Sequence, residues 1–421
     1  LTGGNTFEMP ASDVTVSADI TVTTMAGSGT ENDPWIIMYR TQMDQLAISE
    51  INNGEYYQLG RDLTYSYEGL GETESNYTPI RVNAGGHFDG AGHTISGIRV
   101  YPYDDFDDDD NGLFSVNYGT VKNVTLTDAI ITGEDYVGGI VGSNTKNGLI
   151  DSCHVTSTVI IKAYGYSSDY HGGISGDNAG DVGKIPSIRN CTSAATITNN
   201  GYENCGDYGG IVGENVGGIV SGCTAYGASV TAIGAAGGIV GYNYWCCDFE
   251  DTVVENCFAI DCTINSGSAG AIISNSGYAI LNHNYYYNCT ANGSTTNIGY
   301  KDGDITEDDG AVQVFSLTLG KHITATATAA YSYSGNNYYT AGTSVTLSPE
   351  EGYAISGSYT VKDADDNDVA LTGGNTFEMP ASDVTVSATI VVTVSNSSQI
   401  VCLGNSIISR SEERFSRNAE T

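Results

Sequence analysis

Six copies of one short pattern restrict what this chain can fold into more than any other feature it carries. Gly138-Gly139-Ile140-Val141-Gly142, with Asn144 two residues on, returns as Gly172-Gly173-Ile174-Ser175-Gly176 with Asn178 and as Gly209-Gly210-Ile211-Val212-Gly213 with Asn215. It returns again as Gly237-Gly238-Ile239-Val240-Gly241 with Asn243. Degraded copies flank these four, Gly112-Leu113-Phe114-Ser115 with Asn117 before and Gly270-Ala271-Ile272-Ile273-Ser274 after. The apolar third position reads Leu113, Ile140, Ile174, Ile211, Ile239, Ile272, in steps of 27, 34, 37, 28 and 33 residues. A period in that range means a solenoid, and atypical terminal copies are what its ends look like.

A second ladder runs in phase. Val124, Cys153, Cys191, Cys223, Cys257 and Cys289 each follow an apolar corner residue, namely Val121, Ile150, Ile188, Val220, Val254 and Tyr286. Another apolar or small residue lies two places beyond, as in Val124-Leu126, Cys153-Val155 and Cys257-Ala259. That alternation is the period of a strand with one face inward. Each repeat therefore supplies at least two short strands, and equivalent strands stack about 4.8 Å apart. The Asn after each Ile is shared by five copies, with Ser276 in the sixth. Stacked amides bonded to one another and to turn backbone would satisfy the polar groups along that edge. The expected fold is all-β: a parallel β-helix of about six recognisable repeats, with N-terminal rungs and a short capping helix.

Over roughly residues 80–300 these strings, Gly-Gly-Ile-Val-Gly-x-Asn followed by Ile-x-x-Cys, resemble the GLUG motif of bacterial surface and secreted proteins. The resemblance implies an adhesin-like repeat region. Such repeats also stand beside the catalytic parts of immunoglobulin A peptidases, and are not themselves known as catalysts.

Charge narrows the partners. Fifty acidic against 15 basic side chains give a formal charge of −35. Phosphate binding needs Lys/Arg clusters, so nucleic acid is excluded as a natural partner and polyanionic substrates are disfavoured. Solubility and self-repulsion of a secreted chain are the simpler reading of the acidity. No run of 18 apolar residues exists to span a membrane. Residues 1–18 recur identically as 371–388, so 1–24 reads as the second half of a small β-module and the chain as a fragment of a longer, surface-attached or exported protein.

Residues 25–54 read as a linker and the capping helix. Gly27–Pro34 is a flexible link, Trp35–Met38 is strand-like, and Thr41 with Asp44 has the spacing of a helix N-cap and an acid at N3. Met43, Leu46, Ala47 and Ile51 form a stripe at helical spacing, ended by Asn52-Asn53-Gly54. The stripe is suited to cover the exposed core and strand edge at the start of a solenoid.

Candidate chemistry is sparse. Asp89-Gly-Ala-Gly-His93 is a turn signature, and Asp89 with His93 is conceivable as a catalytic pair. In the simpler reading Asp89 bonds its own turn and His93 packs on a neighbouring rung. Tyr103–Asn111 carries six Asp, and the Asp107–Asp110 loop offers hard oxygen ligands for calcium without the alternate spacing of an EF-hand. A solvated loop is the simpler reading. Twenty-nine Tyr suit either outward glycan or protein contact or replacement of aliphatics on strand faces. Of ten Cys, the laddered ones are expected as free, stacked thiols; Cys205, Cys262 and the Cys246-Cys247 pair are placed on insertions. The sequence contains no Cys-x-x-Cys, His-Glu-x-x-His or Gly-x-Ser-x-Gly. No catalytic, cofactor-binding or metal residue is assigned.

Period is lost over 301–320, read as a connector, and 321–395 alternates as a small β-module. Its string Ala341–Ser348, Gly352-Tyr353, Phe377-Glu-Met-Pro380 and Asp383-Val-Thr-Val386 resembles the divergent internalin B-type repeat. That resemblance implies a spacer or stalk on a bacterial cell surface. Residues 396–421 read as a tail, with 410–421 (RSEERFSRNAET) a translated sequencing adapter. The expected function is structural and adhesive, with no enzyme activity and no cofactor: a rod over 55–300 presenting loops to a host or bacterial glycan or protein. The alternative is a carbohydrate-active β-helix, a glycoside hydrolase before a lyase, which needs two acids at fixed separation in one groove.

Overall fold

The computed structural model describes residues 24–102, 110–164, 170–199, 206–244, 252–277, 280–294, 300–302 and 311–393. Residues 1–23 of the partial module, Asp107–Asp109 of the acidic loop, Cys205, Cys246, Cys247, Cys402 and the tail lie outside these ranges. The described chain forms two compact units, one ending at Val314 and one starting at Phe315.

The first unit is a parallel β-helix with five strands to a full turn, where the sequence had suggested at least two. One turn consists of Thr120–Lys122, Thr125–Thr127, Ala129–Gly133, Tyr136–Gly138 and Val141–Thr145. The next begins at Leu149–Asp151, and each strand pairs in parallel with its counterpart one turn away. Five parallel sheets result, the two longest with nine strands each. Trp35–Ile37 opens the first of these and Val312–Gln313 closes the second.

Each corner has its own chemistry. Between first and second strands one residue per turn takes a left-handed conformation: Asn123, Ser152, Asn190, Gly222, Asn256 and His283, all with φ between 48° and 62°. Asn and Gly tolerate that conformation best, which accounts for the residue that precedes each Cys or Val. Between fourth and fifth strands the Gly-Gly-Ile-Val-Gly string brings backbone against backbone. A Cβ on Gly138, Gly172, Gly209 or Gly237 would lie within 2.0 Å of the carbonyl oxygen three residues on. A Cβ on Gly142, Gly176, Gly213 or Gly241 would strike the fourth strand of the preceding turn at 2.5–2.7 Å. The motif is glycine-rich because two strands pass there with no room for side chains.

The Ile ladder is fully buried, and the Asn ladder forms an unbroken amide chain. Asn117, Asn144, Asn178 and Asn215 each donate from Nδ2 to Oδ1 of the next Asn, at 2.8, 2.8, 2.7 and 2.9 Å. Their amides also reach carbonyls of the following corner.

The cysteine ladder needs one correction. Cys153, Cys191, Cys223 and Cys257 stack as expected, but register places Asn284, not Cys289, above Cys257. The corner residue paired with Val254 is accordingly Leu281, not Tyr286. Asn284 fits the apolar column because both ends of its amide are satisfied, Oδ1 by Cys257 N at 3.0 Å and Nδ2 by Val254 O at 2.9 Å. Cys289 instead stacks on Cys262, whose backbone N lies 3.4 Å from Cys289 Sγ. Cys262 is therefore a buried corner residue, not part of an insertion; Ala228, Ala195 and Val159 precede it in register. All six described cysteines are free and buried.

The helix Arg40–Ser49 places Met43 and Leu46 in the N-terminal end of the coil core, and Ile51 beyond it bonds the backbone of Arg81 and Asn83. Its start differs from expectation. Gln42 Oε1 accepts from Tyr39 N at 3.0 Å and Met38 N at 2.7 Å, so a buried amide satisfies the exposed donors. Thr41 and Asp44 lie inside the helix, and Asp44 accepts from Tyr65 Oη instead.

The second unit has a five-stranded sheet, a three-stranded sheet and a strand pair. In the larger sheet Phe315–Leu319 runs parallel to Val384–Ser387. Val345, Leu347, Val361, Phe377, Met379, Val384 and Val386 form its core. The acidic turn after Val361 is held by Asp363, whose Oδ1 accepts from Asp365 N and Asn367 N at 3.0 and 2.8 Å, and Val369 N closes on Val361 O at 2.9 Å.

Candidate functional site

Asp89 and His93 do not form a pair. Asp89 Oδ1 accepts from Ala91 N at 2.8 Å and from Asn123 Nδ2 at 3.0 Å, while Oδ2 lies 3.2 Å from Lys122 Nζ. Burial works to raise its pKa, but these bonds outweigh it and hold the carboxyl below the ordinary range. His93 Nδ1 bonds Asp62 Oδ1 at 3.1 Å. Both residues serve the turn and its neighbouring rung. Of the Asp107–Asp110 loop only Asp110 is described, as the first residue of the strand Asp110–Asn111. Among the described residues no group of three or more His, Cys, Asp or Glu is placed to hold a metal.

The glycine corner does bring acids together, at positions the sequence did not single out. Along the fourth strands Asp110, Tyr136, Tyr170 and Asp207 occupy one column. Along the fifth strands Ser143, Asp177, Glu214 and Tyr242 occupy another. Asp177 is 5% exposed, and its Oδ1 has no hydrogen-bond partner among the described residues. Burial pushes its pKa far up, against a hydrogen bond from Ser143, and the nearby Asp110 and Glu214 push the same way. Tyr136 is pushed up to about 12 by burial, with Asp177 and Glu214 adding to it. A neutral acid beside a second carboxyl is the pairing that glycoside hydrolysis uses. Here the acid is enclosed, out of reach of a polymeric substrate, with Ser143 and Glu214 as its neighbours in register.

His171 is a second buried ionisable group that sequence reading passed over. It occupies a column otherwise filled by Asn111, Val137, Tyr208, Ala236 and Ala269, and its ring lies 4.6 Å from that of Tyr208. Burial lowers its pKa to about 3, with the Gly133 carbonyl opposing, so the imidazole is neutral. Only its place in the strand register, an inward position, would have flagged it.

The corner joining fifth strands to the next turn carries two lysines, Lys146 and Lys184. Four successive turns contribute Ala84-Gly85, Tyr118-Gly119, Lys146-Asn147 and Lys184 to one open cleft of about 260 Å³. The Tyr118 ring has the Arg81 guanidinium 5.1 Å and the Lys146 ammonium 4.4 Å from its centre, and Arg81 Nη2 donates to Tyr118 Oη at 3.0 Å. A second cleft, sharing His87 and Thr120 with the first, extends toward Tyr56, which stacks on His87 at 4.2 Å.

Comparison with known proteins bears on one circuit of this coil. Residues 133–160 match the GLUG motif. That stretch runs from the end of one third strand to the start of the next, and so contains one glycine corner, one ladder Asn and one ladder Cys. The chain is also 28% identical over 155 residues to halomucin of Haloquadratum walsbyi, covering 32% of this chain and 2% of halomucin. The chain thus corresponds to a small fraction of that curated relative's length. Among solved structures, a candidate immunoglobulin A1 protease from Bacteroides ovatus aligns at a TM-score of 0.49 and 23% identity, over 66% of this chain and 85% of that one. No helix among the described residues is long and apolar enough to cross a membrane.

Proposed function

We propose that this chain is a section of an extracellular or cell-surface repeat protein whose coil is a rigid adhesive scaffold, holding variable corner segments toward a glycan or protein. One observation carries the reading: length varies at two of the five corners and is nearly constant at the others. First-to-second and fourth-to-fifth connections keep the same length from the turn starting at Thr120 onward. The long connections are 101–109, 164–169 and 199–206 between third and fourth strands, and 180–186 and 245–252 between fifth and first. A core fixed by ladders with free length at selected corners is how repeat proteins vary a binding surface. The GLUG match and the likeness to halomucin support a surface setting.

The same reading extends to the remaining parts. Residues 55–300 act as the rod, 301–320 as its connector and 321–395 as an internalin B-type-like spacer. The hydrolase alternative would draw on Asp177 and Glu214, and the enclosure of Asp177 weighs against it.

The test is a glycan and matrix-protein array probed with the full chain, with and without calcium. Saturable binding is expected, and it should fall when 103–109 or 165–169 is replaced by the two-residue connection Glu134-Asp135. Calcium dependence would assign the Asp107–Asp110 loop to the site. Shortened oligosaccharides on the array, or no binding at all, would overturn the proposal.

A further inference from the structure

We infer that the cleft at the fifth-to-first corner is a binding site for a short acidic oligosaccharide, seated along the rod axis with an anionic group between Lys146 and Lys184. The inference rests on the scaffold reading above and assigns its ligand class.

Position argues first. The cleft is built from the same corner of four successive turns, so its long axis follows the stacking direction. Rungs repeat about every 4.8 Å, and a furrow with that repeat suits a linear polymer better than a compact ligand. The neighbouring first-strand column of Tyr56, His87 and Thr120 continues it as a floor of aromatic and hydroxyl groups.

Charge argues second, and against the background of the chain. The chain carries 50 acidic against 15 basic side chains, so two cations sharing one acid-free cleft locally reverse its charge. Lys122 and Arg189 stand opposite Asp89 and Asp151 at 3.2 Å. Lys146 and Lys184 have no carboxylate partner among the described residues, and the lining of their cleft contains no acid. The two ammonium groups are an unspent pair of donors.

Donor polarity argues third. Asn147 Oδ1 accepts from Ile185 N at 3.2 Å, which leaves its Nδ2 as a donor. Lys146 is held in place by the Tyr118 ring, whose other cation contact is Arg81. Lys146, Lys184, Asn147, Thr120 and His87 thus present donors to one space, and an anionic sugar supplies the acceptors. The negative field of the whole chain, screened beyond about 8 Å at physiological salt, selects against densely charged polymers. It tolerates isolated charges separated by neutral sugars.

Titration calorimetry of the full chain provides the test. Probes are a hyaluronan tetrasaccharide, its carboxyl-reduced neutral form, a sulfated chondroitin tetrasaccharide and tetra-aspartate. Binding of the hyaluronan fragment is expected, at least tenfold weaker after carboxyl reduction and at least tenfold weaker in K146A/K184A. Both lysines are on the surface, so the variant should keep the parent's urea midpoint; a variant with only Lys162→Ala, away from the cleft, should bind as the parent does. Preference for the sulfated probe would change the anion and keep the site. Equal binding by K146A/K184A, or tighter binding of tetra-aspartate than of either acidic sugar, would sink the inference while leaving the scaffold reading in place. No binding of any probe, here and on the array, would remove both.

Discussion

Asn144 donates from Nδ2 to Oδ1 of Asn178 at 2.8 Å, one turn further along the coil, and both side chains are fully buried. Asn178→Ala would leave that donor without its acceptor and remove the bond to Asn215 at 2.7 Å. Each buried amide group left unpaired costs about 1–3 kcal/mol. A loss of roughly 3 kcal/mol in unfolding free energy is expected, measured by urea denaturation. A loss below 1 kcal/mol would mean that water replaces the ladder bonds.

Glycines in the chain should respond very differently to alanine. At Gly237 an added Cβ would lie 1.8 Å from Val240 O, so backbone must move, at a cost of about 3 kcal/mol. At Gly227 the Cβ would meet open space, and the penalty is that of a left-handed residue at φ 62°, about 1 kcal/mol. Thermal midpoints of the two variants should therefore separate clearly, with Gly237→Ala the lower.

The two buried ionisable groups act in opposite directions on pH stability. His171 has its pKa lowered to about 3, so the unfolded chain binds the extra proton first. Its contribution is intact above pH 6.5 and is lost as pH falls toward 3, amounting to about 2 kcal/mol by pH 5. Asp177 has its pKa raised, so its folded form keeps a proton that the unfolded form releases. That contribution is intact below pH 3.8 and is lost as pH rises. Urea midpoints across pH should show His171→Phe flattening the loss between pH 6.5 and 4. Asp177→Asn should raise the midpoint at pH 7, with the gain vanishing near pH 4. A pH profile unchanged in either variant would show that another group carries the effect.

The stacked thiols should be chemically silent in the native state. Burial drives the Cys153, Cys191 and Cys223 pKa values up, and a hydrogen bond with Cys262 followed by burial does the same at Cys289. The thiolate is the reactive form. All six described thiols are buried, so iodoacetamide should spare Cys153, Cys191, Cys223, Cys257, Cys262 and Cys289 until urea unfolds the coil, as read by peptide mass mapping. Rapid native labelling at any of the six would contradict the buried register.

The fold was legible in the sequence wherever a residue type repeats for a reason of backbone or core. Ile, Gly and Asn do so at one corner, and four of the five positions in the cysteine ladder beyond Val124 were placed correctly. The ladder slipped at Cys289 because two corners of the last turn accept a Cys, and only strand register separates Cys262–Cys289 from Cys257–Asn284. The fourth strand ends on the first Gly of the motif and the first is centred on the apolar corner residue, so both read as corners; the third has no distinctive residue at a fixed place. The basic cleft was illegible for another reason. Gly85, Tyr118, Lys146 and Lys184 share no residue type, and the step between them varies with the corner insertions. Asp177 and His171 sit where neighbouring turns have Ser143, Glu214, Val137 and Tyr208, so no pattern marked them.

The amide chain along Asn117, Asn144, Asn178, Asn215 and Asn243 has every donor facing the same way. At its far end Asn243 Nδ2 has no acceptor among the described residues, and its register partner is Ser276. A gene duplication that adds one whole circuit after Asn243 gives that donor its oxygen and exposes an identical one a rung later. A duplication of any other length puts a side chain of the wrong kind beneath it. Growth and shrinkage of such a protein are therefore quantised: lineages can differ by whole circuits, and the unit of inheritance is the turn.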